Sequence, residues 1–164
     1  MTTSEIHSSD LTTNPEPRLN YATVAPEAVR AQMGLENYVR NSSLEHSLYE
    51  LVKLRASYIN GCAYCVDMHT KDARAIGETE QRIYALPVWR ETPFFTSRER
   101  AALAFTEEVT LLATTHVPEE AYRAVAAEFS QPELGALISL IVTINAWNAI
   151  SVSTRTWEPG SYQP

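Results

Sequence analysis

Cysteine is scarce in this 164-residue chain: there are two, Cys62 and Cys65, three positions apart. So close a pair cannot staple distant parts of a fold, which excludes a secreted disulfide scaffold. Basic residues are also few, 13 Lys and Arg against 20 Asp and Glu, giving a net charge of −7. That balance argues against nucleic acid and anionic membrane as partners. Long apolar runs are missing except Leu134 to Val152, which is nineteen residues long and interrupted by Thr143, Asn145 and Asn148. It reads as a buried helix, not a membrane span. Met1-Thr2-Thr3-Ser4-Glu5 lacks a basic stretch leading into an apolar one, so no signal peptide is expected and the cytoplasm is the expected compartment. No convincing alternation of apolar and polar residues occurs, so strands are not expected and the class is all-α.

What is present is an ordinary globular composition, 45% hydrophobic and 20% charged. Residues 1–20 are polar and read as a flexible arm, and residues 21–164 as a single helical domain. Pro26 opens a first helix that reaches about Arg40. Asn41-Ser42-Ser43 breaks it and offers an N-cap for a second, Leu44 to Tyr58. A third runs from about Ala63 to Ile76 and stops at Gly77. A short fourth covers about Glu78 to Ala85, and Pro87 to Phe95 reads as a loop. Ser97 to about Ala113, Pro118 to about Phe129 and Gln131 to about Val152 complete a bundle of six to seven helices.

The chemistry concentrates between Glu50 and Gly77. Asn60-Gly61 is a break that favours positive φ, and the pattern after it is helical. The C-x-x-C of Cys62 and Cys65 therefore falls in a first helical turn, where unpaired N–H groups and the helix dipole favour a thiolate. His69 follows Cys65 by four residues and shares its helix face. These residues can exchange between dithiol and disulfide. Physics alone leaves open which cysteine attacks: the helix terminus favours Cys62, the histidine favours Cys65.

Glu50-x11-Cys62-x-x-Cys65-x3-His69, with Lys53-x-Arg55, Asn60-Gly61-Cys62 and Ala73-Arg74-x-x-Gly77 around it, resembles the AhpD-like alkylhydroperoxidases of the carboxymuconolactone decarboxylase superfamily. The resemblance covers roughly residues 40–150. It implies an AhpD-like helical bundle and reduction of hydroperoxides without haem, metal or other cofactor, reset by an external thiol donor or adaptor protein. It implies Cys65 as the peroxidatic nucleophile, Cys62 as the resolving thiol, and a relay from His69 to Glu50 through water. It also implies a homo-oligomer, a trimer or hexamer.

Other readings stay in view. Cys62, Cys65, His69 and Glu50 could form a four-ligand zinc set, although structural zinc usually takes a second ligand pair from farther along the chain. Covalent haem needs a histidine where Val66 stands. A decarboxylase of the same superfamily would not need the cysteine pair, whereas a redox sensor or dithiol carrier would. Tyr64 is either a wall residue or a hydroxyl donor. Arg55 lies within the apolar arc of the second helix and needs a partner. Glu50 lies off that arc and is buried only if another element covers its flank. Asn145 and Asn148 share a face and either line a pocket or bridge helices. Asp67 and His46 read as surface residues, His116 as a loop or capping residue, and His7 falls in the arm. Trp89, Phe94 and Phe95 read as core or subunit contacts.

Overall fold

A computed structural model describes residues 15–164; most of the expected arm, residues 1–14 with His7, lies outside them. Among the described residues there are nine α-helices and no strand. They are α1 (Tyr21–Val24), α2 (Pro26–Arg40), α3 (His46–Asn60), α4 (Ala63–Ala75), α5 (Glu80–Ala85), α6 (Ser97–Thr110), α7 (Leu112–Thr115), α8 (Glu119–Ala126) and α9 (Gln131–Thr154). Five are long, with 13 to 24 residues, α5 and α8 have about two turns, and α1 and α7 are single turns.

Local chemistry sets most of the boundaries. Pro26 stands at the start of α2, where its missing N–H is no loss. Capping boxes open α6, from Thr96 and Glu99, and α9, from Ser130 and Glu133. Gly61 ends α3 at φ +64°, and Gly77 follows α4 at φ +95°. Three expectations shift. Ser42 and Ser43 do not cap α3, which starts at His46; the Ser42 hydroxyl instead donates to the Val39 carbonyl and closes the turn. The expected loop after Pro87 begins with a 3-10 helix, Leu86–Glu91. The described end of the arm is tied down, because the N–H groups of Arg18 and Leu19 donate to the Thr154 carbonyl.

Helix α3 is the centre of the bundle and packs against α4, α6 and α9. Its Leu48 and Val52 join one core with Val39, Phe105, Leu137 and Ile141. Its Leu51 and Leu54 join a second with Leu86, Trp89, Phe95 and Leu103. Trp89 and Phe95 are thus core residues, as expected, whereas Phe94 is exposed. The apolar residues of α9 divide: Leu134, Leu137, Leu140, Ile141 and Ile144 are buried, and Ile138, Val142 and Val152 are exposed.

With two apolar cores taken up, α3 still has a third direction, and that direction is polar. Glu50, Lys53 and Ser57 follow at spacings of three and four, and all are buried. Each finds a partner on a different helix: His69 on α4 for Glu50, Glu36 on α2 for Lys53, and Asn148 on α9 for Ser57. Arg55, half-buried, pairs with Glu107 of α6 at 2.9 Å and donates to the Pro87 carbonyl at 3.2 Å. The requirement that it be paired is met by a strut between helices.

The Glu36–Lys53 pair is the most deeply buried ion pair of the described residues. Burial alone would raise the Glu36 pKa, but the Lys53 ammonium and hydrogen bonds from Lys53, Tyr49 and Trp147 outweigh it and hold the carboxyl below its usual range. Removing one member of such a pair strands a charge. Lys53→Met should lower unfolding stability in urea by about 3–5 kcal/mol, and Glu36→Gln added to it should restore most of the loss. The sign with pH follows from the depressed folded-state pKa. Glu36's contribution is complete above its unfolded pKa of about 4.3 and disappears as pH falls through the lower folded value. The acid limb of a stability–pH curve should therefore be shallower in Lys53→Met.

Candidate redox site

The turn between α3 and α4 positions the cysteines. Gly61 takes the left-handed conformation that reverses the chain, and Cys62 becomes the N-cap of α4. Its Sγ accepts from the Cys65 N–H at 3.3 Å. Cys62 and Cys65 are joined in a disulfide with a Cα–Cα distance of 5.3 Å, and both are buried. The cysteines sit in the first helical turn, as the sequence reading placed them.

This turn is braced from behind. The Asn60 amide donates to Asn145 Oδ1 at 2.8 Å and to Asn148 Oδ1 at 2.9 Å. Asn145 donates onward to Thr110 Oγ1 and Asn148 to Ser57 Oγ, each at 3.1 Å. Of the two roles left open for these asparagines, the structure gives the bridging one. They connect α9 to the residue that precedes Gly61 and do not line the cavity described below.

His69 and Glu50 meet directly. His69 Nδ1 lies 2.9 Å from Glu50 Oε2, and both side chains are buried. The expected intervening water has no place between them, and α4 is the element that covers the Glu50 flank. The Nδ1 contact fixes the ring and leaves Nε2 for chemistry.

A cavity of about 250 Å³ adjoins this cluster and is lined by Cys65 and His69 but not by Cys62. Of the two cysteines, Cys65 is therefore the one that borders the cavity. Tyr64 forms wall: its ring stacks on Trp157 with centroids 5.7 Å apart. Its hydroxyl pKa is raised by burial and by Asp67 and Asp72. Arg55 is not in the lining.

Several site residues were not picked out from sequence. Glu36, Arg40 and Lys53 form a charged flank of the cavity. The available signal was Lys53, one turn after Glu50 and one turn before Ser57 on α3. Trp147 and Trp157 lie edge to face at 5.9 Å, and Trp157 belongs to the tail that follows α9. The tail is clamped to α4. Asp67 Oδ2 accepts from the Gly160 N–H at 3.0 Å and from Lys71 Nζ at 2.9 Å, and Lys71 also reaches the Tyr162 carbonyl. Asp67 is thus an anchor and not merely a surface charge. The Tyr162 hydroxyl donates to Asp72 at 2.7 Å, and that bond, with burial and the nearby carboxylates, pushes its pKa up to about 12. His46 is exposed, and His116 caps the end of α7.

Among the described residues, donor atoms of Glu50, His69 and Asp72 lie within 4.8 Å of one another and are the group able to hold a cation. All three already serve hydrogen bonds, His69 and Glu50 with each other and Asp72 as acceptor from Tyr162. The four-ligand zinc set is not assembled here, because sulfurs joined in a disulfide offer no thiolate.

Comparison with known proteins gives the family and the fold. The sequence model of the Carboxymuconolactone decarboxylase family matches residues 26–108. The chain is 43% identical over 136 residues to the uncharacterized protein YdfG of Bacillus subtilis, spanning 83% of this chain and 92% of that protein. A solved Agrobacterium tumefaciens protein of unknown function, proposed to be the antioxidant defence protein AhpD, is 48% identical. It superposes with a TM-score of 0.85 over 88% of this chain and 99% of the other. A peroxidase-related protein of Ralstonia eutropha with an alkylhydroperoxidase AhpD core has a TM-score of 0.73 over 85% of this chain and 74% of its own. At 19% identity it bears on the fold alone.

The site should bind no stoichiometric metal once reduced. Elemental analysis of the dithiol form should find well under one zinc per chain. About one zinc per chain, lost in Cys62→Ser, would replace the redox reading with a metal site.

Proposed function

Since this chain belongs to the carboxymuconolactone decarboxylase family, as one of its AhpD-like members, we propose that it reduces organic hydroperoxides through a Cys62–Cys65 dithiol cycle. The observation that carries the reading is the redox-capable pair set beside a cavity, with a buried, carboxylate-bonded histidine one turn beyond the cysteine that borders it.

The cycle uses groups already described. His69 takes the thiol proton of Cys65, and the Glu50 carboxylate stabilises the imidazolium that results. The thiolate attacks the terminal oxygen of the hydroperoxide. A sulfur–oxygen bond forms, the oxygen–oxygen bond breaks, and the departing alkoxide takes the proton from His69. Cys65 is left as a sulfenic acid, oxidised by two electrons. The Cys62 thiol condenses with it, releasing water and forming the disulfide. A thiol donor or adaptor protein then returns two electrons and two protons. The cycle needs no metal or other cofactor. Resetting by cellular thiols suits a reducing compartment, and the cytoplasm is the compartment we propose. The exposed Ile138, Val142 and Val152 on α9 support assembly as a homo-oligomer, a trimer or hexamer.

A free thiol of pKa about 8.5 is only a few per cent thiolate at neutral pH, so the neighbours of Cys65 must supply reactivity. Cys65→Ser should abolish turnover of cumene hydroperoxide with a dithiol donor. Cys62→Ser should allow one oxidation of Cys65 and no disulfide. His69→Ala and Glu50→Ala should each slow the reaction by roughly 10²-fold, with the double variant little worse than either. Alkylation by iodoacetamide across pH should show the Cys65 pKa raised in both. Wild-type reactivity in Glu50→Ala would remove Glu50 from the relay, and no turnover of any hydroperoxide would favour a sensor, a dithiol carrier or a decarboxylase.

A further inference from the structure

The reduction cycle accounts for Cys65 and His69 but not for the rest of the cavity wall. Three aromatic rings in contact, Tyr64, Trp157 and Trp147, line the cavity, and Trp147 also donates to Glu36 of the charged flank. Tyr64 is nearly parallel to Trp157, at 26° between planes, and Trp157 meets Trp147 edge-on at 75°. The Met33 and Met68 thioethers and Ile144 complete the apolar lining. We propose, building on the peroxidase reading, that this cavity selects a compact, uncharged hydroperoxide carrying a single aromatic ring.

Size sets the first limit. An apolar cavity of about 150 Å³ accommodates benzene. The space here, about 250 Å³, takes one ring with a short branched substituent. It is below the usual range for larger ligands, so an extended fatty chain does not fit inside it.

Charge sets the second. Burial pulls the Lys53 pKa down against the pull of Glu36 and Glu50, but its ammonium is already bonded to Glu36. Arg40 is exposed and stands at the margin of the lining. The buried part of the wall thus holds one cation against one carboxylate, which leaves no unpaired buried charge to balance an anionic ligand.

Shape and polarisability set the third. Three aromatic side chains in one lining can offer a ligand ring the offset and T-shaped contacts that aromatic pairs prefer, and the Met33 and Met68 sulfurs add favourable ring contacts. A saturated chain of equal carbon count gains none of these. The substrate's oxygen–oxygen bond would lie toward Cys65, and the two-electron step would release the corresponding aryl alcohol, with the proton drawn from His69. Trp157 comes from the tail, so the Asp67–Gly160 and Asp72–Tyr162 bonds that clamp the tail also hold the selecting wall.

The test uses the full chain in its disulfide form and two product-like alcohols of equal carbon count, 2-phenyl-2-propanol and 1-nonanol. The linear alcohol is the more apolar, so a cavity that reads greasiness alone takes it more tightly. NMR titration of the indole N–H signals should show 2-phenyl-2-propanol bound about tenfold more tightly, a difference of 1.4 kcal/mol. Tyr64→Leu and Trp157→Leu keep apolar bulk and should each shrink that preference by roughly threefold or more, with helical circular dichroism unchanged. Equal or tighter binding of 1-nonanol, or binding of neither, overturns the proposal. Binding of the aryl alcohol without turnover of any hydroperoxide would overturn the peroxidase reading while supporting the ring selectivity.

Discussion

A polar stripe on a helix buried from all sides is the constraint on which the rest of the structure depends. Glu50, Lys53 and Ser57 are carried into the interior by α3 because its other directions hold Leu48, Leu51, Val52 and Leu54. A buried polar group without a partner costs several kcal/mol, and a buried charge more. Neighbouring helices must therefore deliver partners at the right height: Glu36 from α2, His69 from α4 and Asn148 from α9. Apolar packing allows small sliding of helices, whereas hydrogen bonds of 3 Å do not. The stripe thus sets the register of the bundle while the two apolar clusters supply its cohesion.

That constraint and the chemistry share atoms. The same Glu50 that needs a partner for folding presents His69 to the cavity in one orientation. The same Asn148 that satisfies Ser57 also receives Asn60 and so steadies the turn carrying Cys62. A redox turn works with little backbone movement when its flanks are fixed, and here they are fixed by the fold's own requirement for polar satisfaction. The site is consequently stiff on the α3 side and depends on the C-terminal tail on the other. There the wall is a ring stack held by exposed and half-exposed hydrogen bonds from Asp67, Lys71 and Asp72.

The buried Glu36–Lys53 pair illustrates a limit on reasoning about stability. Such a pair is weak support for stability when compared with an apolar replacement, because both charges lose water. Its value lies in specificity: it accepts one arrangement of α2 against α3, further constrained by Tyr49 and Trp147, which both donate to Glu36. In this chain the pair also lines one flank of the cavity, beside Arg40.

The amino-acid sequence by itself determined the all-α class, most helix boundaries and the grouping of Cys62, Cys65 and His69. Each rests on local physics. Pro26, Gly61, Gly77 and the boxes Thr96–Glu99 and Ser130–Glu133 act within a few residues of themselves, and Cys62, Cys65 and His69 lie on consecutive turns of one helix. The tertiary structure alone decided what depends on distance along the chain. Glu36 and Lys53 are seventeen residues apart, Asn60 and Asn148 eighty-eight, and Tyr162 and Asp72 ninety. No helical period or capping rule relates positions so separated. Only the folded bundle turned Asp67 from a surface charge into an anchor, brought Trp157 onto Tyr64, and set Cys65, not Cys62, in the cavity lining.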